Sequence, residues 1–94
     1  MKKKLEINQV LILLETALEG LIKNVNSNNS IVELMTKINL ILNIFERNVE
    51  NKKSLSKIKT LRVYLRNPGK NIDNIMKFEA EDIPAIKVLL AKKN

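Results

Sequence analysis

The sequence predicts an α+β fold in one domain, 1–94: an N-terminal antiparallel αα-hairpin, then a β-hairpin and a C-terminal helix. Three observations lead there. Two apolar stripes of helical period are separated by an Asn/Ser-rich segment, and apolar residues alternate with polar ones over 61–66, before a turn at Pro68-Gly69. A last apolar segment follows the acidic pair Glu81-Asp82. The predicted elements are helix 5–25, helix 30–50, a hairpin within 57–79 and helix 82–93, with an all-α bundle of four or five helices as the alternative.

The first helix rests on Ile7, Val10, Leu11, Leu14, Leu18, Leu21, Ile22 and Val25. At roughly 100° per residue these fall within an arc of about 120°, the stripe of a helix with one face on a core. Gly20 interrupts it at a cost of about 1 kcal/mol relative to alanine. The polar run Asn24–Ser30 then ends the helix, because Asn and Ser side chains compete for their own backbone.

Ser30 and Glu33 have the spacing of a capping box and predict the start of the second helix. Its stripe is Ile31, Leu34, Met35, Ile38, Ile41, Leu42, Phe45 and Val49. Leu40 and Ile44 stand on the opposite side, as do Leu5 and Ile12 on the first helix. These spare apolar residues predict cover, first from the second half of the chain and otherwise from a homodimer seam.

Residues 48–53 are polar and charged apart from Val49 and mark an internal boundary. Beyond it, Leu61, Val63 and Leu65 alternate with Arg62, Tyr64 and Arg66, the period of a half-buried strand. Turning at Pro68-Gly69, Leu65 would face Ile72, Val63 Asn74 and Leu61 Met76 on one side. Thr60, Arg62, Tyr64 and Arg66 would share the other, joined by Lys77. The competing helix has Leu55, Ile58, Leu61 and Leu65 as its stripe, Ser54 as its cap and Asn67-Pro68-Gly69 as its stop. The mostly apolar and mostly polar sides of the paired register favour the hairpin. At the end of the chain, Glu81-Asp82 and Pro84 predict a helix start, Ile83, Ile86, Leu89 and Leu90 its contacts, and Lys92 and Lys93 its C-terminal charge.

Charge is the feature that bears on function. Lys52, Lys53, Lys57, Lys59, Arg62, Arg66 and Lys70 lie in a window with no acid between Glu50 and Asp73. The remaining ten basic and ten acidic residues cancel, so this window carries the whole net charge of +7. A localised positive surface is the electrostatic footprint of a phosphate binder. With Tyr64 between Arg62 and Arg66, the expected site is a nucleic-acid surface of Lys52, Lys53, Lys57, Lys59, Arg62, Tyr64, Arg66, Lys70 and Lys77.

Other chemistry finds little support. The chain has no cysteine and no histidine, which excludes disulfides, Cys/His zinc sites and His-based proton transfer. No phosphate loop, dinucleotide fingerprint or regular Ca²⁺ loop is present, and Asp73, Glu79, Glu81 and Asp82 lack the spacing and glycine of the last. The longest apolar run, Val10–Leu14, is too short for a secretory or membrane-spanning segment, so the expected location is the cytoplasm. No enzyme, cofactor, metal or small-molecule substrate is expected.

The function expected is therefore a small basic nucleic-acid-associated protein contacting DNA or RNA phosphates through 52–70. The alternative is a protein-interaction module with an acidic partner or a second copy of itself, its interface including Ile12, Leu40 and Ile44. Small phage-encoded inhibitors of defence complexes and bacteriocin immunity proteins have this size and charge, a likeness of composition without a shared motif.

Overall fold

The computed structural model describes residues 6–91 and is helical in all its regular parts. The helices are α1 (Ile7–Asn26), α2 (Val32–Asn48), α3 (Lys52–Leu65), α4 (Ile72–Lys77) and α5 (Ile83–Ala91), with a π turn at Phe78–Asp82 joining the last two. Because α4, the π turn and α5 follow one another without a break, the described residues form four helical rods. Among the described residues there is no strand, and the α+β prediction gives way to the helical alternative. Leu5, Lys92 and Lys93 lie outside the described residues.

The expected αα-hairpin is present, with α1 and α2 forming the most extensive helix pair. Asn28 at φ 62° takes the left-handed position that ends α1. The Asn29 N–H donates to the Asn24 carbonyl at 2.8 Å and the Asn28 N–H to that of Val25 at 3.1 Å. This is the Schellman arrangement, with asparagine in the place glycine usually holds. The capping box does not form. Ile31, half-buried against the core, is itself the N-cap of α2, and the Met35 N–H donates to its carbonyl, leaving Ser30 outside the helix.

The hairpin fails for three physical reasons. Asn51 caps α3, its side-chain oxygen accepting the Ser54 N–H at 2.8 Å, and the helix then runs on through Leu65. Ile58, Leu61 and Leu65 are buried at helical spacing, whereas Val63, which the hairpin would bury, is 54% exposed. Neither glycine has positive φ, so Pro68-Gly69 makes no type II turn. It instead links two helices through Asn67 and Asn71, the Asn71 amide nitrogen donating to the carbonyls of Tyr64 and Asn67.

Pro84 stands in the first turn of α5, as expected, but that turn continues directly from the π turn and does not open a separate helix. A proline ring in a regular α-helix collides with the carbonyl four residues back, here that of Ala80. The wider turn relieves this, with the Ile83 N–H donating to Phe78 five residues earlier. Phe78 itself is buried beside Ile75, Ile83 and Ile86, closing the core over α1.

The resulting body measures 44 × 26 × 17 Å. Its core is aliphatic apart from Phe45 and Phe78, as the composition requires. The α4–α5 rod packs on α1 and α3, while α2 touches α3 only lightly beyond its pairing with α1. Helix α3 therefore lies at the side of the bundle with a broad solvent face.

Candidate nucleic-acid interface

On α3 the buried residues Ser54, Ile58, Leu61 and Leu65 define the core side. The opposite arc carries Lys52, Lys53, Ser56, Lys59, Thr60, Val63 and Arg66, all exposed. Lys52, Lys59 and Arg66 follow at i, i+7 and i+14, nearly in line along about 21 Å of helix. Lys70 is exposed in the turn beyond, and Lys77 is exposed on α4.

The cluster expected around Tyr64 does not assemble. On a helix, Arg62 and Tyr64 stand on opposite shoulders, roughly 160° apart. Tyr64 is half-buried and packs against the core, so it offers no stacking platform between guanidinium groups. Arg62 turns toward α2. Its Nε donates to Glu46 Oε2 at 3.0 Å, and its Nη2 donates to Glu46 Oε1 at 3.1 Å and to Asn43 Oδ1 at 2.8 Å.

Lys57 is also held internally, donating to Asp82 Oδ1 at 3.0 Å across to the π turn. The acids absent from the basic window are thus supplied by other helices. Of its seven cations, Lys57 and Arg62 have such partners, and Lys52, Lys53, Lys59, Arg66 and Lys70 remain exposed without an ion pair among the described residues.

Glu46, Asn43 and Asn39 were not expected as partners of Arg62. Their spacing on α2, which places all three along one stripe, was the available signal. Nor were Ser56 and Val63 expected on the exposed arc, where they run with Thr60 among the cations.

The spare apolar residues stay uncovered. Ile12 is 52% exposed, Leu40 58% and Ile44 40%, so the second half of the chain does not bury them. The α4–α5 rod goes to α1 and α3 instead, which leaves the outer side of α2 to solvent.

A second polar cluster lies where α1 meets the π turn. Carboxylate oxygens of Glu15, Glu19 and Glu79 approach within 4.8 Å of one another, a grouping dense enough for a cation. Burial, a hydrogen bond with Glu19, and the charges of Glu19 and Glu15 push the Glu79 carboxyl up to about 7. A shared proton therefore relieves part of the repulsion near neutral pH.

Compared with known proteins, the chain matches no family model, no curated protein and no solved structure. No helix of the described residues is long and apolar enough to cross a membrane.

Proposed function

We propose that this is a non-catalytic nucleic-acid-binding protein of the cytoplasm that holds phosphates with the exposed cations of α3 and the turn after it. The observation that carries the reading is the line Lys52, Lys59 and Arg66, with Lys53 and Lys70 nearby, exposed and without acidic partners among the described residues. Lys52 and Lys53 also occupy the first turn of α3, which has no acid. The helix dipole is positive at that end, so a lysine there costs about 0.3–1 kcal/mol where a carboxylate would gain as much. A bound phosphate reverses that penalty.

The test is fluorescence anisotropy with labelled DNA and RNA oligonucleotides across a salt series. Five phosphate contacts predict a slope of log affinity against log salt of about −3.5 for single strands to −4.5 for duplex. Lys59→Glu combined with Arg66→Glu abolishes binding on this reading. Absence of binding to every oligonucleotide at low salt sinks it.

One observation favours a second reading, a protein-interaction module. Leu40 and Ile44 share an exposed side of α2, and an uncovered apolar patch is a mark of partner sites. If that side is used, Leu40→Asp with Ile44→Asp removes partner capture while leaving the fold and any oligonucleotide affinity unchanged. On the nucleic-acid reading the same variant is silent.

A further inference from the structure

We infer that the nucleic acid is duplex DNA and that α3 enters its major groove. The inference rests on the nucleic-acid reading above and narrows it to one form of ligand. Binding of single strands depends on a basic channel with aromatic side chains on which bases stack. Here Phe45 and Phe78 are buried and Tyr64 is half-buried against the core. The cations stand instead on a convex ridge that presents no aromatic ring.

The ridge has the dimensions and chemistry of a groove-seated helix. An α-helix with its side chains is about 10–12 Å across, and the B-DNA major groove is about 12 Å wide. Such a fit requires small side chains at the crest, and Ser56, Thr60 and Val63 are all exposed there. Lys52, Lys59 and Arg66 form one edge, and Lys53 stands on the other side of the crest, each able to reach a phosphate wall.

The spacing agrees as well. Each i, i+7 step along Lys52, Lys59 and Arg66 is about 10.5 Å, close to three base-pair rises of about 3.4 Å. The crest brings two hydroxyls and a valine toward base edges. Thr60 Oγ1 already donates to the Ser56 carbonyl at 3.2 Å, leaving its lone pairs for an amino group on a base. Val63 can meet a thymine methyl. Duplex RNA offers no equivalent seat, because its major groove is too deep and narrow for side chains to read.

The experiment compares one labelled sequence as duplex DNA, single-stranded DNA and duplex RNA, using the full chain and Thr60→Trp. The expected result is duplex DNA bound at least about tenfold more tightly than either other form, with Thr60→Trp weakening it by a further tenfold or more. A tryptophan on the crest blocks a groove, yet beside cations it would strengthen binding to a single strand. Ser56→Trp provides a second crest variant should Thr60→Trp misfold, with circular dichroism reporting the fold of both. Equal or tighter binding of single strands or duplex RNA overturns the groove inference while the nucleic-acid reading stands. So does undiminished duplex binding by a folded crest variant. Failure of all three forms to bind overturns both.

Discussion

The Arg62 guanidinium clasps the Glu46 carboxylate through two nitrogens, at 3.0 and 3.1 Å, and so ties α3 to α2 where the two helices otherwise touch little. Arg62 is thereby a structural residue within a basic helix. Arg62→Ala is expected to lower stability by about 1 kcal/mol, since the pair is partly solvated but bidentate. In a domain of this size that corresponds to a fall in Tm of about 4–8 °C. Oligonucleotide affinity should change far less than in Lys59→Ala or Arg66→Ala. Equal losses of affinity from all three would show that Arg62 also reaches the ligand.

Asn51 and Ser54 make a prediction of opposite signs. The Asn51 side chain caps α3, so Asn51→Ala should destabilise by about 1 kcal/mol. Ser54 is buried with its hydroxyl oxygen unpartnered among the described residues, and an unsatisfied buried hydroxyl costs about 1–3 kcal/mol. Ser54→Ala should therefore raise the urea midpoint while Asn51→Ala lowers it. A drop in the midpoint for Ser54→Ala would mean that the hydroxyl has a partner after all.

How much was legible follows from these helices. The stripes of α1 and α2 are long and unambiguous, and the αα-hairpin could be read directly from them. For 57–79 the signal was divided, because Leu61 and Leu65 belong both to a strand alternation and to a helical stripe. The exposure of Val63 decides between these, and it depends on which neighbours pack against α3. Asn51, three residues before Ser54, was a cap signal that the reading of Ser54 itself as the cap passed over. The concentration of charge was visible in the sequence. Its partial neutralisation was not, since Glu46 lies 16 residues from Arg62 and Asp82 lies 25 from Lys57, and only the fold joins them.

Gly20 lies inside α1 opposite Leu34 of α2. A methyl group added there would sit 3.6 Å from the nearest Leu34 carbon, an ordinary van der Waals contact. The glycine is therefore not required for close helix approach. Gly20→Ala should stabilise by about 0.5–1 kcal/mol through helix propensity, seen as a higher Tm without loss of oligonucleotide affinity. A lower Tm would reveal that α1 and α2 pack more tightly than this distance allows.

Glu79 predicts a pH dependence whose sign is set by its raised pKa. Its carboxyl is pushed from 4.5 to about 7, first by burial, then by its hydrogen bond with Glu19 and by the charges of Glu19 and Glu15. Lys23, on α1 and lining a shallow groove together with Glu19 and Glu79, does not outweigh these. The folded state therefore holds a proton that the unfolded chain releases between about pH 4.5 and 7. The associated stability is complete below the lower value and is lost as pH rises through the upper one. The slope is at most about 1.4 kcal/mol per pH unit, and solvent screening of a partly exposed group reduces the total to about 1–2 kcal/mol. Glu79→Gln removes the titration while keeping the shape and a donor for Glu19. Its Tm advantage over the native chain should be absent near pH 4.5 and reach several degrees at pH 8. An advantage that is constant across this range, or that grows toward acid, would show that Glu79 does not carry the proton.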